Sequence, residues 1–353
     1  MIHNICVNKH YILAIKRNIS RVFIFILLSC AVIFSAMAQS RPHLNHYLYN
    51  YYLINPAVAG IEDFVDIKSS VRSQWNGLEG APETLVLTVH GNIENQKKIN
   101  PANPVKPKTY SVDEYTVDLD NYNARPHHGV GGIIIADRIG PFSKIQFNAT
   151  YAYHIPLSKK YRLAAGLSLG MIHNSLDQDK ITLQDPNDIA VNGEQYSIIN
   201  PDLGFGLWFY SKNLFMGFSG GQLFKYNTSF GEYIQSDKES YRNFILTGGY
   251  KFYTGYDIII TPSVAVKWLS PEPLVIDFNL VISFINRVSL GITYRNNREL
   301  VVSSRFIASP LFELGYAFDY GSASVDRYNS GSHEFYVGLR LRNKNKILCP
   351  VNL

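Results

Sequence analysis

Apolar and polar positions alternate with period two over most of the chain. Ile145, Phe147, Ala149, Tyr151 and Tyr153 take turns with Gln146, Asn148, Thr150 and His154. Leu163, Ala165, Leu167, Leu169 and Met171 alternate with Ala164, Gly166, Ser168 and Gly170. The same pattern recurs at Val288–Tyr294, Phe312–Tyr320 and Phe335–Leu341. A helix would spread both sets around its circumference, whereas a strand sorts them onto two faces. Fourteen segments read as strands on this basis: 64–73, 83–91, 128–137, 142–154, 161–173, 199–210, 213–223, 241–253, 257–269, 273–284, 286–296, 299–308, 310–320 and 332–342.

These segments are long. Soluble strands usually run ~5–6 residues, while a strand that crosses a bilayer at a tilt needs ~9–11. Backbone groups in lipid must all be paired, so membrane strands close into a barrel, and bacterial single-chain barrels take even strand numbers. Connection lengths agree. The turns around 156–160, 212–213, 254–256, 285 and 309 are short, while 174–198, 224–240 and 321–331, of the other parity, are long. Short periplasmic turns and long outer loops belong to such barrels. The expected fold is all-β, a transmembrane antiparallel β-barrel of about 14 strands over 64–342. The inward row mixes Gly, Ala, Ser and Thr with isolated charges such as Asp277, Arg295, Glu313 and Arg340, and reads as a modest, sparsely charged interior. One connection breaks the pattern: 92–127 has periplasmic parity but is long, with prolines and mixed charge (Lys97, Lys98, Lys106, Lys108 against Asp113, Glu114, Asp118, Asp120). It reads as a solvated loop or as a periplasmic docking element.

The first 38 residues read as a cleaved signal peptide. Cations end at Arg21, Val22–Phe34 is apolar, and Ala36-Met37-Ala38 supplies small residues for cleavage before Gln39. Lipoprotein processing at Cys30 is the rival, opposed by the apolar run that continues past the cysteine through Ala31-Val32-Ile33-Phe34. Residues 39–63 then form a periplasmic segment ahead of the first strand, and 343–353 a C-terminal tail. Localisation is therefore the outer membrane of a Gram-negative cell.

Lys and Arg number 33 against 28 Asp and Glu. Four of the cations fall in the acid-free leader, so the remainder is near neutral and no nucleic-acid footprint exists. With 13% aromatic and 17% charged residues the chain is not a disordered, solvating one. Cys349 stands alone after the leader, which excludes a disulfide framework or thiolate zinc site.

Three motifs follow one another after the leader: Asn55-Pro56-Ala57-Val58-Ala59-Gly60, Arg72-Ser73-Gln74-Trp75 and Ala81-Pro82-Glu83-Thr84. Asn-Pro favours a turn start, Pro56 fixes φ and Gly60 permits a positive one. Arg72, Gln74 and Trp75 place donors and an amphipathic ring at the end of the first strand, for an interface belt or a lumen contact. Further on stand Gly129-Val130-Gly131-Gly132 with Asp137, Gly140 and Pro141, then Gly331-Ser332-His333-Glu334 opening the last strand, then Cys349-Pro350. In these motifs, in this order, the sequence resembles the PorP/SprF family of Bacteroidetes outer-membrane proteins, which belong to the type IX secretion and gliding machinery. The resemblance runs from about Gln39 to the C-terminus. It departs from the family in the elaborate 92–127 connection and in the Val351-Asn352-Leu353 ending. It implies a non-enzymatic component that associates with periplasmic ring lipoproteins of the type IX system and supports particular cargo, such as a secreted surface adhesin. It carries no catalytic residues. Asn55, Pro56, Ala57, Gly60, Arg72, Gln74, Trp75, Pro82, Thr84, Gly331, Ser332, His333 and Glu334 are expected to be structural or docking positions.

Other chemistry finds little support. His127-His128 point to opposite faces of a strand without carboxylate or thiol at ligand spacing, and read as a solvated pair. Asp177, Asp179, Asp185 and Asp188 lack the Gly and Glu of a calcium loop. There is no H-E-x-x-H or P-loop, and no cofactor or metal is expected. Beside the secretion reading stand two alternatives: a passive porin or solute-uptake channel, and an outer-membrane hydrolase.

Overall fold

The structure is a computed structural model that describes residues 44–93, 126–177, 180, 197–224, 242–254, 257–270, 273–284, 287–296, 299–320 and 331–342. The leader, most of 92–127, Asp179, Asp185, Asp188 and the 343–353 tail lie outside these residues.

The strands are β1 (Val65–Ser73), β2 (Glu83–Asn92), β3 (His127–Ile139), β4 (Phe142–Pro156), β5 (Arg162–Leu176), β6 (Ser197–Tyr210) and β7 (Leu214–Gly221). They continue with β8 (Asn243–Tyr250), β9 (Phe252–Thr254), β10 (Ile258–Leu269), β11 (Val275–Phe284), β12 (Val288–Arg295), β13 (Glu299–Ile307), β14 (Phe312–Tyr320) and β15 (Ser332–Leu341). β8 and β9 are two pieces of one strand, interrupted at Lys251, and both pair with β10. The expected fourteen strands are therefore all present.

Each strand pairs antiparallel with its sequence neighbours, and β15 returns to β1 from Val65↔Leu341 to Ser73↔His333. The sheet closes into a barrel with no free edge, which answers the demand of lipid for paired backbone. Alternation divides the strands as anticipated. On β12 the outward Leu290, Ile292 and Tyr294 are exposed while Ser289, Thr293 and Arg295 are buried. On β15 Phe335, Val337 and Leu339 face out and Glu334, Tyr336 and Arg340 face in. The exposed apolar row is the lipid-facing surface.

The short turns β4–β5, β6–β7, β9–β10, β11–β12 and β13–β14 gather at one end, together with the start of β1 and the end of β15. By the barrel rule this is the periplasmic face. The opposite face carries the β1–β2, β3–β4, β5–β6, β7–β8, β10–β11, β12–β13 and β14–β15 connections, while the long β2–β3 connection belongs to the periplasmic end.

Two readings of the interior need correction. The inward row is not sparsely charged: Asp66, Lys68, Arg72, Lys267, Asp277, Arg295, Glu299, Arg305, Glu313, Asp319, Glu334 and Arg340 all lie there, buried. Nor do residues 44–63 form a segment outside the barrel. They run through its lumen as three short 3-10 turns, His46–Tyr49, Tyr51–Leu53 and Pro56–Val58. The hydrophobic core is this strap packed on the inner wall: Tyr47, Tyr49, Tyr51, Tyr52, Ala57, Val58 and Ala59 against Trp208, Tyr210, Phe215 and Tyr336.

Candidate functional site

The occupied lumen is where the signature residues meet. Asn55 caps the third turn, its Oδ1 accepting the Ala57 N–H at 2.9 Å. Its Nδ2 donates to the Leu207 carbonyl at 2.9 Å and the Phe218 carbonyl at 3.2 Å, tying the turn to β6 and β7. Pro56 occupies the first position of the turn, where a missing N–H costs nothing. Small wall residues admit the backbone. A Cβ added at Gly166 would meet the Ala57 nitrogen at 2.5 Å, and at Gly206 or Gly129 it would collide with Asn55 or the Ala59 carbonyl. Gly60 turns the chain out of the lumen at φ +73°, beside Gly91 and Gly129.

Histidines hold this exit. His154 Nε2 lies 2.8 Å from the Ala59 carbonyl and its Nδ1 3.0 Å from the Tyr210 hydroxyl. His127 Nε2 is 3.1 Å from the Gly60 carbonyl, and its ring stacks on His154 with centroids 4.4 Å apart. His127 and His128 do face opposite ways, but the pair is not merely solvated: His127 grips the strap, and His128 sits outside against the Tyr151 hydroxyl at 2.6 Å. Among the described residues no cluster of His, Cys, Asp and Glu is arranged to hold a metal.

The other end of the strap is held by charge. The Asn45 N–H donates to Glu334 at 2.8 Å, its side-chain amide donates to Asp319, and His46 Nδ1 lies 2.8 Å from Glu334. Arg72 pairs with Asp319 and, at 3.4 Å, with Glu334. Beside this group Arg295 donates from Nε to Asp277 at 2.7 Å and from Nη1 to Glu299 at 2.5 Å, while Lys267 reaches Asp277 at 2.7 Å. Tyr47 donates to Asp277 at 3.0 Å and lies under the Lys267 ammonium, 4.2 Å from its ring centre. Lower down, Lys68 donates to the Tyr49 carbonyl and to Asp66, both at 2.8 Å, and Arg340 pairs with Glu313. In a low dielectric such charges are tolerated only when each finds partners, and these do.

The remaining signature residues knit the loop-bearing rim above that cluster. The Trp75 N–H donates to the Ser332 hydroxyl at 3.3 Å, with Trp75 at φ +50°, and the Asn76 N–H donates to the Gly331 carbonyl at 3.1 Å. The Gln74 N–H donates to the Pro82 carbonyl at 3.0 Å, closing the β1–β2 turn. Thr84 donates to Asp137 on β3 at 2.7 Å. His333 alone of its motif lies on the outer row, 2.7 Å from the Tyr316 hydroxyl. Of the two options open for Arg72, the lumen contact is the one realised. The sequence reading missed Asn45, His46, Tyr47, His154 and the inward glycines.

Arg72, Trp75, Ser332 and Glu334 thus come from two distant motifs and meet at one seam. A family model described as type IX secretion system membrane protein PorP/SprF matches residues 36–339. The chain belongs to the PorP/SprF family. Membership makes it an outer-membrane component of the type IX secretion system. No curated protein matches the chain. Among solved structures it is similar to the Acinetobacter baumannii outer membrane protein Omp33, with 8% identity and TM-score 0.43 over 80% of this chain and 99% of that one. It is also similar to a triple mutant of Rhodopseudomonas blastica porin, with 8% identity and TM-score 0.33 over 79% of this chain and 99% of that one.

Proposed function

We propose that this PorP/SprF barrel is a closed, non-enzymatic platform of the type IX machinery, not a conduit. It docks to periplasmic ring lipoproteins and supports export or surface attachment of specific cargo. The observation that carries this reading is the filled lumen. Residues 45–52, 55 and 57–60 are buried inside the barrel, with Leu53, Ile54 and Pro56 partly covered. A passive porin needs a continuous aqueous path, so the strap counts against the solute-channel alternative. The motif residues around the strap and rim make bonds within the chain, which suits a structural role for them.

The test is a gentle-detergent pull-down of the tagged full chain with mass spectrometry of what remains attached, paired with a deletion strain. Ring lipoproteins in the pull-down and loss of one surface protein from the deletion strain are expected. Normal display of every type IX cargo in the deletion strain would remove the proposal.

A further inference from the structure

The strap has a direction. Its Gly60 end touches His127, Gly91 and Gly129, at the bases of β2 and β3, and then enters β1 at Val65. Its Asn45 end touches Glu334 and Asp319 and lies within 3.3 Å of Arg295. Those three residues sit at the other ends of their strands, next to the β12–β13 and β14–β15 connections. Between them, Tyr47 meets Asp277 near the outer end of β11, Tyr49 meets Ser303 midway along β13, and Asn55 and Ala59 meet Leu207 and His154 close to the periplasmic ends of β6 and β4.

We infer that the segment threads the barrel from face to face, so that the chain ahead of Leu44 leaves at the loop-bearing outer face and not into the periplasm. The beginning of β1 and the end of β15 lie at the periplasmic end of the barrel. A partner that took hold of the chain ahead of Leu44 at the outer face would pull directly on Asn45 and His46, where the strap is held by charge.

This inference rests on the membrane-barrel fold and not on the docking partners, and its test reads sidedness alone. Three variants in a Cys349→Ser background, Ser40→Cys, Glu79→Cys and Lys159→Cys, each with one cysteine beyond Cys6 and Cys30 of the leader, are treated on intact cells with a membrane-impermeant maleimide. Glu79 lies in the β1–β2 turn and Lys159 in the β4–β5 turn, both exposed. Ser40→Cys is expected to label together with Glu79→Cys before permeabilisation, and Lys159→Cys at least tenfold less until cells are opened. Ser40→Cys tracking Lys159→Cys would overturn the threading, whichever face proves to be outside.

Discussion

Asn55 bonds to Leu207 from inside the barrel: the side-chain amide reaches the β6 carbonyl at 2.9 Å while its oxygen holds the Ala57 N–H at the same distance. One side chain thereby satisfies a 3-10 turn and fixes that turn to the wall. Asn55→Ala leaves both groups without this partner, a cost of about 1–3 kcal/mol. Asn55→Asp keeps the acceptor for Ala57 but sets a carboxylate against the Leu207 and Phe218 carbonyls. The expected order of stability is wild type, then Asn55→Ala, then Asn55→Asp. It is read from the temperature at which the detergent-solubilised barrel loses its compact electrophoretic form. An Asn55→Asp protein as stable as wild type would contradict the assigned donor role.

The wall glycines give a sharper contrast. At Gly129 and Gly166 an added methyl meets strap backbone, which cannot rotate aside. At Gly132, on the outward row of β3, the nearest atom to such a methyl is 3.8 Å away. Gly129→Ala and Gly166→Ala should therefore destabilise the barrel by at least the ~1–3 kcal/mol typical of overpacking. Gly132→Ala should be neutral or mildly stabilising, since glycine weakens a strand. Equal behaviour of the three in urea-unfolding midpoints would show that strap contact is not what sets the requirement.

Occlusion has an electrical consequence. The purified full chain in planar bilayers should show no stable open-pore steps, whatever the salt. Porin-like steps scaling with bulk conductivity would show that the strap does not block the bore, and would revive the solute-channel reading. Silence here requires a folded sample, which is established by heat-dependent electrophoretic mobility in the same preparation.

The strands were legible in the sequence, and the strap was not. Alternation at Val288–Tyr294 or Phe335–Leu341 has only one physical solution in lipid. The break at Lys251 escaped notice because the aromatic run Tyr250–Tyr253 reads as continuous strand. Residues 44–63 carry no period, and their place before the first strand put them on the periplasmic side. The signal was compositional: Tyr47, Tyr49, Tyr51 and Tyr52 are too apolar a set for a solvated linker. The inward charges looked isolated because each was viewed along its own strand. Register makes Asp277 the direct partner of Arg295 and Arg72 the direct partner of Glu334, and neither relation is visible until strands are paired. The motif Gly331-Ser332-His333-Glu334 likewise divides between two faces, with Glu334 on the strap and His333 on Tyr316.

The Lys267–Asp277–Arg295–Glu299 group allows the buried charge to be tested by balance and not by loss alone. Arg295 is fully buried and contacts both carboxylates. Arg295→Met removes a cation while leaving Asp277 and Glu299 in the lumen, and breaking a buried pair in this way costs ~3–5 kcal/mol. The double variant Arg295→Met with Glu299→Gln takes out one charge of each sign and leaves the 2.7 Å Lys267–Asp277 pair intact. Replacing a whole buried pair is often close to neutral, so the second substitution should recover most of the lost stability. The comparison is made in urea midpoints of the folded barrel in lipid vesicles. A double variant no more stable than Arg295→Met would mean that the guanidinium holds the strap through its 3.3 Å contact with Asn45 and not through charge balance.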